Sequence, residues 1–310
     1  MIVIGDELGR RVAERLSATF IPVDPRAFSD GEVCPRVLLE EAGGGNPVEG
    51  KECVLVLQMR AGENPNTYLV KTLFIVDVIR KLKPGSLAVA MPYFVYARQH
   101  QQYLPGQPVS AEIVAKFLES AGATRFVTIN SHSRGDLPGF FAGKTFDLDA
   151  VPFLAAYFSE RKEFDKNVIV IGPDRGAAPL AKHFATKMGF GEWTAFNKQR
   201  DVHTGEITMK PDGAKIDGKT AIVIDDMCAS GGTMVKALQA CKLHGATKAI
   251  ACFVHAVLSD NALERLTPVA DEIVATNTIA SPVSNVDVSS LIASAFQDQQ
   301  KLKQYLVEFD

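Results

Sequence analysis

Short apolar runs rich in β-branched residues alternate along this chain with longer segments of helical period, and the alternation runs twice. Strands are expected at Ile2–Ile4, Val54–Gln58, Leu87–Met91, Phe126–Ile129, Val168–Ile171, Ala221–Ile224, Ala249–Val254 and Glu272–Ala275. Helices are expected at Thr67–Leu82, Ser110–Ser120, Ala177–Met188 and Met234–His244. In Thr67–Leu82 the spacing of Leu69, Val70, Leu73, Val76 and Ile79 predicts one buried stripe. Wholly apolar strands separated by helices imply an α/β chain with parallel sheets covered on both faces. The seam between the two runs falls near Asp147–Val151, giving domains at 1–148 and 149–310, the last helix being able to pack on the first. The Gly43–Gly45 run with Asn46-Pro47 reads as a turn between two strands.

A length of 310 residues suits two domains. The 33 basic and 36 acidic residues leave a net charge of −3, with no long-range field to gather nucleic acid. The five cysteines are odd in number and scattered, which fits a reduced cytoplasm better than a disulfide framework or zinc site. The N-terminus meets a charge at Asp6, so it lacks a signal peptide's apolar core. No apolar run approaches the ~20 residues that span a bilayer. A soluble cytoplasmic protein is expected, with neither nucleic acid nor membrane as partner.

In a doubly wound sheet, ligands bind beyond the carboxyl ends of the strands. The sharpest signal there is Ala221–Thr233, where an apolar strand ends in Asp225 and Asp226. A turn of small residues follows (Ala229, Ser230, Gly231, Gly232) and a helix begins around Thr233. Small residues let consecutive N–H groups converge on one anion at a positive helix end. Adjacent carboxylates suit ribose hydroxyls or a metal ion. No lysine follows the glycines, so this is not a Walker A loop. Four further segments carry chemistry: Phe28–Glu32, Pro92–His100, Pro173–Gly176 and Asn197–Arg200. Taken alone, the first is an acidic turn with a buried phenylalanine, and the last opens a solvated polar hairpin (Asn197–Lys210) with Gly205 near its tip.

Together and in this order, the five motifs resemble the ribose-phosphate pyrophosphokinase family over nearly the whole chain, with Gln107–Ser110 similar to the archaeal branch. The resemblance implies two similar phosphoribosyltransferase-type domains, the first on the adenine and ATP side, the second on the ribose 5-phosphate side. It implies transfer of the β,γ-diphosphoryl group of Mg²⁺-ATP to the anomeric hydroxyl of ribose 5-phosphate, leaving AMP. Phe28, Asp30 and Glu32 would then meet adenine across a subunit boundary in a homodimer or larger homo-oligomer. Arg98, Gln99 and His132 would meet ATP, with His132 and Asp174 serving the metal. Asp225, Asp226 and Ala229–Thr233 would hold the sugar phosphate, and Lys198 and Arg200 would meet the transferring group. His100 would sit just outside the contacts.

This chain departs from the family pattern at several positions. Asn130 and Asn277 stand where Asp is usual, Ala177 replaces Gly, and Arg175 adds a cation beside Asp174. Ala229 stands where Asp or Ser is usual, and Ser230 where Thr is. Two other readings accompany the enzyme: a non-catalytic regulatory homologue, and a phosphoribosyltransferase, which would lack the first half.

Overall fold

The computed structural model describes residues 1–132, 135–164, 167–189, 192–200, 207–297 and 306; at 198–200 and 207–210 the description covers the backbone. The chain divides into two compact units. The first comprises Met1–Met59, Glu63–Asp149 and Val288–Asp310; the second comprises Arg60–Gly62 and Ala150–Asp287.

The first unit opens with β1 (Ile2–Gly5), α1 (Glu7–Leu16), β2 (Thr19–Asp24), β3 (Arg36–Val37) and β4 (Glu52–Val56). After the short β5 (Met59–Arg60) come α2 (Pro65–Lys81), β6 (Ser86–Ala90), α3 (Ser110–Ala121), β7 (Arg125–Ile129), α4 (Leu137–Phe140) and β8 (Lys144–Leu148). The sheet order is β3-β2-β1-β4-β6-β7-β8. Every pairing is parallel except that of β2 with β3. Cys53–Val56, Leu87–Ala90 and Phe126–Ile129 are buried throughout, as central strands under helices on both faces must be.

The second unit repeats the plan with α5 (Val151–Ser159), β9 (Val168–Gly172), α6 (Ala178–Met188), β10 (Trp193–Arg200), β11 (Ile207–Pro211) and β12 (Thr220–Met227). It continues through α7 (Gly232–Leu243), β13 (Lys248–His255), α8 (Ala262–Leu266), β14 (Glu272–Thr276), β15 (Ile279–Ala280) and β16 (Ser284–Val286). The order β11-β10-β9-β12-β13-β14-β16 matches the first sheet place for place, and its one antiparallel pair, β10 with β11, again lies at an edge. The closing helix α9 (Ser289–Ser294) packs on α1 in the first unit.

One expectation is corrected on α2. Its buried line is Tyr68, Leu69, Thr72, Ile75, Val76 and Ile79, whereas Val70 is 38% exposed. The apolar residues of α2 exceed the width of one buried stripe, so a second apolar line faces outward.

Candidate functional site

The second unit carries the phosphate-type motif. The interior of β12 is buried from Ala221 to Ile224, and the strand emerges at Asp225 and Asp226. It lies parallel to β9 on one side and β13 on the other, so both carboxylates open at the carboxyl ends of the sheet. Asp225 Oδ1 accepts the N–H of Asp226 at 2.9 Å. Burial, then the neighbouring charge of Asp226, with Asp174 adding to both, holds the Asp225 carboxyl well above the usual carboxylate range. Asp174 follows β9, where its Oδ1 accepts from Gly176 N at 3.1 Å and fixes the turn Arg175–Ala177. Three acidic oxygen donors therefore share one field at neighbouring strand ends.

The turn after Asp226 is shaped for close approach. Gly231 caps α7 at φ +75°, a left-handed conformation that glycine adopts without cost. A Cβ built on Gly232 would meet nothing within 4 Å, so the backbone there borders open space. Cys228 is buried beneath, its thiol pushed up to about 12 by burial and by Asp225. It is an inert packing residue, not a nucleophile.

In the first unit, Phe28–Glu32 forms a tight turn: Phe28 N donates to Glu32 O at 2.8 Å and Gly31 N to Phe28 O at 3.0 Å. Asp30 Oδ1 accepts from Glu32 N at 3.0 Å. Phe28 is 59% exposed, which corrects the simple reading of an acidic turn with a buried ring. The ring is held outward, available for stacking.

After β6, Tyr96 adopts φ +66°, rare for an aromatic residue, and its hydroxyl donates to Asn66 Oδ1. Arg98 is exposed and forms no ion pair among the described residues. Gln99 Nε2 donates to Gln101 O at 3.1 Å. His100 lies between Asp136 Oδ2, 2.6 Å from its Nδ1, and the Tyr103 hydroxyl, 3.1 Å from its Nε2. Its ring meets that of His132 edge-on at 6.2 Å. Asp136 thus supports the histidine cluster, a role sequence reasoning missed because it depends on a contact across 36 residues.

His132 is reached through two anchored residues. Ser131 N donates to both oxygens of Asp147, at 3.0 and 3.2 Å. Asn130 is 3% exposed with φ +39°, and its Nδ2 donates to Asp149 Oδ1 at 3.0 Å. The second unit repeats this at the equivalent place, where Asn277 Nδ2 donates to Asp287 Oδ1 at 2.9 Å. In both units the same asparagine also donates its backbone N–H to the end of the last strand, Leu148 O and Val286 O. The two departures from the family pattern therefore serve as amide-to-carboxylate latches between adjacent strand ends.

Lys198 and Arg200 lie on β10, paired with Met209 and Ile207. Their side chains, and Gly205, fall outside the described residues.

Two doubly wound units of one sheet order, one ending in a carboxylate pair and a glycine turn, define a phosphoribosyltransferase-type protein. Residues 148–290 match the phosphoribosyl transferase domain, and residues 4–122 match the N-terminal domain of ribose phosphate pyrophosphokinase. A ribose-phosphate pyrophosphokinase of Methanopyrus kandleri is 34% identical over 95% of this chain and 96% of its own length. That of Sulfolobus acidocaldarius is 33% identical over 94% and 99%. The crystal structure of phosphoribosylpyrophosphate synthetase from Mycobacterium smegmatis superimposes with TM-score 0.81 at 27% identity, covering 98% of both chains. The chain belongs to the ribose-phosphate pyrophosphokinase family. Among the described residues, no helix is long and apolar enough to cross a membrane.

Proposed function

We propose that this chain is a ribose-phosphate diphosphokinase, moving the β,γ-diphosphoryl group of ATP to the anomeric hydroxyl of ribose 5-phosphate to give phosphoribosyl pyrophosphate and AMP. The observation that carries the reading is the carboxylate pair Asp225–Asp226 leading into a left-handed glycine turn at the start of a twelve-residue helix. Consecutive N–H groups there suit the 5-phosphate, and two carboxylates suit the ribose hydroxyls. The relatives, ribose-phosphate pyrophosphokinases, support the same chemistry.

On this reading Ala229–Thr233 bind the phosphate, while Phe28, Asp30 and Glu32 meet the adenine. Arg98 and Gln99 meet the nucleotide, the exposed Arg98 offering a planar donor fork to phosphate oxygens. Lys198 and Arg200 neutralise charge on the transferring group. The donors fit Mg²⁺: hard oxygen ligands with Asp174 among them, and a site needing only one or two carboxylates beside substrate phosphates. Asp174 would hold the ion from the second unit, and the ion would neutralise phosphate charge when bound. Catalysis is then positioning plus electrostatics. Ala229 offers no hydroxyl or carboxylate, so sugar recognition falls to Asp225 and Asp226.

The test is incubation with Mg²⁺, ATP and ribose 5-phosphate, followed by nucleotide analysis. AMP is expected in step with phosphoribosyl pyrophosphate; ADP with a sugar bisphosphate would make the protein an ordinary kinase.

A further inference from the structure

The glycine turn is braced from below by a second loop of the same unit. Cys228 N donates to His255 O at 2.9 Å, and Leu258 N donates to Cys228 O at 2.9 Å. These bonds extend the β12–β13 pairing past the ends of both strands. Gly231 packs onto this loop closely enough that a Cβ added there would stand 3.2 Å from Ala262 Cβ. The supporting loop is itself held in an unfavourable shape: Leu258, Asp260 and Asn261 have φ of 50°, 51° and 55°. Three non-glycine residues in the left-handed region persist only where their surroundings over-determine them.

One side chain joins the two loops. Arg265, on α8, donates from one guanidinium nitrogen to Ser230 O and to Asp260 O, the latter at 2.8 Å. The first bond matters for the turn because a peptide unit is planar and trans. The Ser230 carbonyl and the Gly231 N–H belong to one such plane and point in opposite directions. A cation holding the carbonyl fixes where that N–H points. If the plane rotated, a carbonyl oxygen would face the place where an anion's oxygens should lie. The second bond ties Arg265 to the strained loop, so the two loops keep a common position.

We propose that Arg265 is a positioning residue for sugar-phosphate binding, setting the Ser230–Gly231 peptide so that its N–H serves the phosphate. The proposal rests on the reading of this turn as the 5-phosphate site, and it assigns Arg265 no contact with substrate. The guanidinium is exposed, so its effect is moderate and specific to one substrate.

Steady-state kinetics and hydrogen exchange test it together. Arg265→Ala should raise KM for ribose 5-phosphate about tenfold, the worth of one charge-assisted hydrogen bond. KM for ATP should stay unchanged, and kcat should fall far less than KM rises. Arg265→Lys should give an intermediate KM, since an ammonium can reach one carbonyl. Glu264→Ala, its exposed neighbour on α8, should move neither constant. In the ligand-free protein, the amides of residues 229–232 should exchange faster in Arg265→Ala than in wild type. An unchanged KM for ribose 5-phosphate would overturn the proposal. So would a joint rise of both KM values together with a fall in kcat and in melting temperature, which marks a merely structural residue. If the wild type makes no AMP, the functional reading fails, yet the exchange rates of the turn still decide the role of Arg265.

Discussion

Gly232 shows how one residue can serve a ligand without serving the fold. A Cβ there meets no protein atom within 4 Å, so a larger side chain should be tolerated structurally. Its bulk would occupy the space beside the phosphate turn. Gly232→Val should therefore raise KM for ribose 5-phosphate strongly while leaving ATP affinity and melting temperature near wild type; calorimetric titration with each substrate checks this. Normal binding of the sugar phosphate would remove the turn from the site. Asn130 is the opposite case, a residue committed to the fold. In Asn130→Asp a carboxylate would replace the amide that now donates to Asp149 Oδ1 at 3.0 Å, in a nearly closed environment. Two buried carboxylates at that distance do not both ionise readily. The variant should lose on the order of 2–4 kcal/mol at neutral pH. The loss should shrink in mild acid, where one carboxyl takes a proton and donates to the other. Urea unfolding of both proteins at two pH values would show it, and a pH-independent difference would contradict the like-charge explanation.

At the scale of elements, the sequence was most legible where one period dominated. The eight apolar strands were readable because parallel strands under helices are buried on both faces and need no alternation. On α2 the apolar positions exceed one face, so the pattern could not say which line would be buried; Val70 went outward. Contacts between elements were not readable at all. Asn130 with Asp149, His100 with Asp136 and Arg265 with Ser230 depend on strand order, which no local window contains. Asp6 belongs to this class. Its Oδ1 caps α1, accepting from Leu8 N at 3.1 Å and Gly9 N at 3.4 Å. Its Oδ2 accepts from Gln58 N, just past β4, at 2.6 Å. Burial outweighs these donors and Lys71, and pushes its carboxyl up to about 6. A folded pKa above the unfolded value sets the sign: the group's contribution is complete below about 4 and is lost as pH rises through 6. Asp6→Asn does not titrate and keeps a good capping oxygen. The stability of wild type relative to this variant should therefore fall by about 2 kcal/mol between pH 4.5 and pH 7.5. Urea unfolding at pH 4.5, 6 and 7.5 measures it. A constant difference across that range would mean that Asp6 titrates as an ordinary carboxylate.

For the molecule as a whole, the outward line of α2 bears on assembly. Val70, Phe74 and Val78 recur every four residues and are all exposed, Phe74 by half. On the neighbouring α3, Ile113 and Phe117 are exposed in the same way, Phe117 also by half. Five large apolar side chains on two adjacent helices form a patch of the kind that marks an interaction surface. The charges around it are already paired within their own helices: Asp77 with Arg80 at 2.7 Å and Lys81 at 2.6 Å, and Glu112 with Lys116 at 2.5 Å. A face whose charges are balanced internally asks no opposite charge of its partner, so a second copy of the same face is compatible with it. Two-fold symmetry is the simplest way for one surface to cover itself. If the exposed Phe28 turn meets the adenine of a neighbouring subunit, assembly has a functional consequence. The protein should be a dimer or larger by light scattering at working concentrations. Phe74→Glu combined with Phe117→Glu should shift it toward monomer with unchanged circular dichroism, and diphosphokinase activity should fall with the assembled fraction. A monomeric wild type would end the argument. A double variant of unchanged size would move the interface to another face, and a fully active monomer would detach the Phe28 turn from any role between subunits.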